Sequence, residues 1–141
     1  MVVPTNVRIP EDVDAALRAY SAAVSVSRSA LLVRALREWL EMQKHPRIRF
    51  APGATGERRA ALVDGPEVWS VAESWLQHPP EVRSVASVAD AVGLAELQVE
   101  AALAYWADHR AEIDGLLGRI HAAQDAALAE WEGSRAFDRP Q

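Results

Sequence analysis

Val3-Pro4-Thr5-Asn6-Val7-Arg8-Ile9-Pro10-Glu11-Asp12 opens the chain with a strand-like period of two, placing Thr5, Val7 and Ile9 on one face and Asn6 and Arg8 on the other. Behind Pro10 the pattern changes. Glu11 and Asp12 start a helix whose apolar positions Val13, Leu17, Tyr20 and Val24 recur at helical spacing. A turn from Val24 to Ser27 leads into a second helix with Ser27 as its cap. Leu31, Leu32, Ala35, Leu36, Trp39 and Leu40 form its broad apolar stripe, with Arg28, Arg34 and Arg37 also along its length. One short strand and two helices cannot close a core, and the strand has no stable partner in its own chain. The reading is therefore of two copies pairing their strands antiparallel about a two-fold axis. Such a ribbon is narrow enough to enter a major groove.

Taken jointly, Val7-Arg8-Ile9-Pro10-Glu11-Asp12 and Val26-Ser27-Arg28-Ser29, followed by Leu31, Leu32, Ala35 and Leu36, make residues 2–42 similar to the ribbon-helix-helix repressors of the Arc, MetJ and CopG type. The resemblance implies a dimeric DNA-binding head over residues 1–43. Ser25 stands where that family usually has glycine, a departure costing about 1 kcal/mol if its φ is positive. Base chemistry gives the ribbon's outer face a use. Arg8 is suited to guanine O6 and N7 and Asn6 to adenine, each worth about 1–3 kcal/mol of discrimination. Ser27, Arg28 and Ser29, at the start of the second helix, are the candidate phosphate contacts; they would set register while Asn6 and Arg8 set sequence. Arg34 and Arg37 read as solvated charges.

The formal net charge of −5 argues against nucleic acid only until it is divided along the chain. Residues 1–49 hold eight Lys/Arg and five Asp/Glu, a charge of +3, whereas residues 50–141 hold seven and fifteen, a charge of −8. A basic head is thus joined to an acidic body. There is no cysteine, hence no disulfide or thiolate metal site, and no long apolar run or signal-peptide pattern; the expectation is a soluble, cytoplasmic protein with no membrane partner.

The second unit, residues 44–141, reads as a small β-hairpin followed by helices, making the fold class mainly α. Arg47-Ile48-Arg49-Phe50-Ala51 and Arg59-Ala60-Ala61-Leu62-Val63 are the strands, and Pro52-Gly53-Ala54-Thr55-Gly56 is a turn without the spacing or lysine of a P-loop. An amphipathic helix carries Val68, Trp69, Val71, Ala72, Trp75 and Leu76, ended by His78-Pro79-Pro80. Val85, Val88, Ala89 and Val92, then Gly93-Leu94, then Leu97, Val99, Ala102, Leu103 and Trp106 spell helix, turn, helix. A second DNA reader is rejected, because the would-be recognition helix offers Glu96, Gln98, Glu100 and Asp108 and no cation before Arg110.

His45-Pro46, Ile48, Phe50, Gly53, Gly56, residues 58–62, Gly65-Pro66-Glu67-Val68-Trp69, Gly93-Leu94 and residues 99–105 together resemble a small domain of unknown function found in antitoxins. That resemblance implies a type II antitoxin that binds operator DNA as a homodimer, represses its own synthesis and neutralises a cognate PIN-like ribonuclease toxin. A folded spacer or extra dimer contact stays open as the body's role. So does the alternative of a free-standing repressor whose C-terminal unit serves dimerisation or ligand sensing.

The last helix, from Ala111 to about Trp131, places Ile113, Leu117, Ile120, Ala127 and Trp131 on one stripe, weakened by Gly115 and Gly118. Given to a toxin, Ile120 and Trp131 would be its anchors while Arg119 or Arg135 reaches the acidic site of the nuclease. Kept at home, Ile113, Leu117 and Ile120 would complete the body's own core. Enzymatic chemistry finds no support: His45, His78, His109 and His121 lack metal-ligand spacing, and no nucleophile–base motif occurs. Glu112 and Asp114 point to different sides of a helix and form no dyad. No cofactor or metal is expected.

Overall fold

The computed structural model describes residues 1–135. The chain divides into a first unit, Met1–Glu41, and a second, Met42–Gln141.

In the first unit α1 (Glu11–Val24) begins behind Pro10, whose φ of −56° already suits a helical turn and whose carbonyl accepts from the Asp14 N–H at 2.9 Å. Glu11, Asp12 and Asp14 in its first turn complement the positive end of the helix dipole. The helix stops because Ser25 turns left-handed, at φ 54° and ψ 40°, so that its N–H and that of Val26 both return to the Ser21 carbonyl. Ser25 thus adopts the conformation that favours glycine. α2 (Arg28–Lys44) is capped by Ser27, whose Oγ accepts from the Ala30 N–H at 3.1 Å.

Leu31 is the buried apolar residue of this unit among the described residues, while Val7, Val13, Tyr20, Leu32, Leu36 and Leu40 stay exposed. The strand expected over residues 3–10 is not formed: residues 1–10 carry neither helix nor strand. A single strand has no ladder to join, so the period-two pattern alone cannot create one.

The second unit holds the sheet. β1 (Ile48–Pro52) and β2 (Arg58–Leu62) pair antiparallel with Ile48 opposite Leu62 and Phe50 opposite Ala60. The turn closes through Gly53 N–H to the Glu57 carbonyl at 2.7 Å and Gly56 N–H to the Gly53 carbonyl at 3.0 Å, with Gly56 at φ 83°. α3 (Val68–Gln77) follows and ends before Pro79 and Pro80; Arg83 then donates to the His78 carbonyl at 2.8 Å and the Leu76 carbonyl at 3.3 Å, satisfying its terminus. α4 (Val85–Val92) has a reciprocal cap between Ser84 and Ser87 and stops at left-handed Gly93. α5 (Glu96–Asp108) and α6 (Arg110–Arg135) complete a chain that is mainly helical with one small antiparallel sheet.

α5 is the centre of this unit, packed on by β1, β2, α3, α4 and α6. Ile48, Leu62, Val68, Val71, Val88, Val99, Tyr105, Trp106, Ile113 and Leu117 make one buried cluster. Each such aliphatic side chain contributes about 1.5–3 kcal/mol, which a unit of this size needs to offset chain entropy. Among the described residues, no helix is long and apolar enough to cross a membrane.

Candidate nucleic-acid and partner interfaces

In the first unit Asn6 and Arg8 are exposed within residues 1–10, which carry neither helix nor strand. Ser27 is engaged as the α2 cap, Ser29 is exposed beside it, and the N–H groups of Arg28 and Ser29 precede the first intrahelical bonds. Arg28 has an acquired partner that the sequence did not reveal. Its Nη2 donates to Asp14 on α1, and the same carboxylate accepts from Arg18 Nε at 2.8 Å. The Arg18 hydrogen bond, aided by the charges of Arg18 and Arg28, holds the Asp14 carboxyl below its ordinary value. Arg28 Nε is buried without a hydrogen-bond partner. The spacing of 14 residues between Asp14 and Arg28 matches no helical neighbour rule, which is why only the folded turn at Ser25 exposes the pair.

The final helix changes in burial at Ile120. Ile113, Leu116 and Leu117 are buried in the core, Ile120 is half-buried, and residues 121–135 are all exposed, a rod of roughly 20 Å. At the start of this exposed stretch His121 Nε2 meets Glu73 on α3 at 2.6 Å. Trp131 is exposed, with the Arg135 guanidinium 4.6 Å from its ring centre. Arg119 lies 3.8 Å from Glu57 of the hairpin turn. Of the four candidate partner-binding residues, Ile120 and Trp131 therefore share the helix beyond the core, while Arg119 faces the body. Leu128, exposed and one turn before Trp131, belongs with them; its position eight residues after Ile120 was the signal.

Two further clusters lie in the second unit. Arg59 is buried, donating to Glu57 at 2.9 Å, to Glu67 at 3.4 Å and to Thr55 at 3.4 Å, and Glu67 also accepts from the Trp69 indole. A Cβ on Gly53 would sit 2.3 Å from Arg59 Nε, so the turn glycine makes room for this guanidinium. At the other end of the unit His45 meets Asp108 at 2.8 Å, His109 stacks on Tyr105 with ring centres 4.2 Å apart, and Tyr105 donates to Glu112 at 2.9 Å. The His45 hydrogen bond and the Lys44 charge lower the Asp108 carboxyl from its ordinary value. The histidines read from sequence as scattered are in part gathered: the rings of His45 and His109 lie 6.2 Å apart. Glu112 and Asp114 do diverge, Asp114 accepting from the Trp106 indole at 2.8 Å.

Among the described residues, the helix-turn-helix of α4 and α5 offers no cationic face: α5 exposes Glu96, Leu97, Glu100, Ala104, Ala107 and Asp108, and no Lys or Arg. No family model, curated protein or solved structure matches this chain.

Proposed function

We propose that this chain is the antitoxin of a type II toxin–antitoxin system, a homodimer that binds operator DNA through its first unit and neutralises a ribonuclease toxin through its second. The observation that carries the reading is the exposed apolar surface of the first unit. Val7, Val13, Leu32, Leu36 and Leu40 are left to solvent although they recur at strand and helix periods. A second copy would cover them and give residues 3–10 the antiparallel partner they lack, carrying Asn6 and Arg8 on one ribbon face. The charge division supports the same assignment: +3 over residues 1–49 suits phosphate, and −8 over residues 50–141 suits a basic, RNA-attracting protein. Half-buried Ile120, with Leu128 and Trp131 on the exposed part of α6, are the apolar anchors offered to that protein, with Arg135 beside Trp131.

Co-expression with the adjacent small reading frame tests the function as a whole. A stable complex that relieves growth arrest, together with a gel shift on the chain's own upstream region, is the expected result. A gel shift with no toxic neighbour selects instead a free-standing repressor whose second unit serves dimerisation or ligand sensing. Arg8→Ala and Asn6→Ala should each lose about 1–3 kcal/mol of specific affinity per contact while keeping the dimer. Wild-type binding by both variants at matched salt removes the ribbon as the reader.

A further inference from the structure

We propose that Asp14 is an internal stand-in for phosphate: it holds Arg28 in the free head, and Arg28 exchanges that carboxylate for a backbone phosphate when the head docks on double-stranded DNA. The inference rests on the DNA-binding reading above and identifies a residue that tempers it.

Arg28 is the first residue of α2, whose leading N–H groups lie ahead of the intrahelical ladder and favour an anion. Its side chain is 41% exposed, so a phosphate can reach it without unfolding the head. Departure from Asp14 strands nothing, because Arg18 stays on the same carboxylate at 2.8 Å. The bound arrangement is also incomplete on the Arg28 side. Reaching Asp14 with Nη2 leaves Nε buried and unpartnered, whereas a guanidinium turned outward to a phosphate brings Nε and Nη2 to it as one edge. The exchange therefore swaps one charge-assisted bond for a two-point contact and satisfies the orphaned Nε. Because phosphate contacts are blind to sequence, a carboxylate competing for Arg28 lowers affinity for every duplex alike. Discrimination is then left to Asn6 and Arg8. A purely structural role, in which Asp14 only pins α1 to α2, predicts the opposite effect on affinity.

The test is a double-mutant cycle in the full-length protein, Asp14→Asn, Arg28→Gln and both together, with fluorescence anisotropy on a mixed-sequence duplex across a salt series and far-ultraviolet circular dichroism of each variant. Asp14→Asn is expected to tighten binding about two- to tenfold at low salt, and to have little effect when Arg28 is already glutamine. Equal tightening in both backgrounds reduces Asp14 to a general negative charge and overturns the exchange. Unchanged or weakened binding, or loss of the helical signal in Asp14→Asn, makes Asp14 a structural pin and overturns it equally. A wild-type protein that binds no duplex at low salt fails the DNA-binding reading itself, an outcome distinct from wild-type binding that Asp14→Asn leaves unaltered.

Discussion

Leu36 and Leu62 are both leucines within strongly apolar stretches, yet Leu36 on α2 is 59% exposed and Leu62 on β2 is 0% exposed. The contrast runs through the two units. Val7, Val13, Leu32 and Leu40 share the fate of Leu36, whereas Ile48, Val68, Val88 and Val99 share that of Leu62. Amphipathic period alone does not bury a side chain; it needs an opposing layer. The second unit supplies one by wrapping four other helical and sheet faces around α5, while two helices and a leading segment without regular structure leave the first unit with half of a core. α6 shows the same contrast inside one helix: Ile113 and Leu117 meet a layer, and Leu128 and Trp131 meet none.

Truncation gives the largest test of this contrast. A chain ending at Ala111 loses Ile113, Leu116 and Leu117, each costing about 2–5 kcal/mol against a total stability of about 5–15 kcal/mol. The second unit should then unfold, visible as lost helical signal and an absent cooperative melt. A chain ending at His121 should melt as the full chain does; unfolding of this shorter deletion would show that the exposed part of α6 belongs to the core after all.

Leu36→Glu probes the other side of the comparison. On an isolated head, a glutamate at a 59% exposed position costs little. In the proposed dimer it places an unpaired charge in the interface, at a cost of several kcal/mol. The expected result is a monomer by sedimentation and loss of the concentration dependence of the first unit's melting, with the second unit's transition unmoved. A variant that sediments as wild type removes this face from the dimer.

Gly53→Ala should destabilise the second unit by about 1–3 kcal/mol, because its Cβ takes the space of the buried Arg59 side chain and forces it off Glu57 and Glu67. Urea unfolding measures the loss. An unchanged midpoint would mean that Arg59 relocates freely and that its ion pairs stabilise nothing. In the first unit, Ser25→Gly works in the favourable direction, relieving a left-handed residue at φ 54° for a gain of about 1 kcal/mol. A lowered melting temperature in that variant would assign Ser25 a side-chain role that outweighs the backbone strain.

The smallest effect is on pH dependence, and it divides between the units. Asp14 and Asp108 both have native values lowered by hydrogen bonds and nearby cations, so their unfolded forms bind protons more readily. Their stabilisation is whole above the ordinary aspartate value of about 3.9 and is lost as pH falls through the lowered native values. Asp14→Asn should flatten this acid limb in the first unit's unfolding and Asp108→Asn in the second's. An unaltered limb in either variant would show that the carboxylate is not charge-coupled in solution.

The sequence by itself determined the helices and the hairpin to within about four residues at their ends, though not the strand expected over residues 3–10. These rest on local rules: Pro10 and Ser27 start helices, Ser25 and Gly93 stop them, and the glycines between the strands close a turn, each acting within a few residues of itself. Asn6, Arg8 and the apolar half of α6 could be named as candidates on the same grounds. Only the tertiary structure decided which stripes are covered, that α5 is the central helix, that α6 leaves the core at Ile120, and that Arg28 meets Asp14 while His45 meets Asp108. The physical reason is range. Periodicity and capping are encoded in neighbouring residues, whereas burial and ion pairing join residues 14 or 63 positions apart, whose meeting depends on turns and packing that local pattern does not specify.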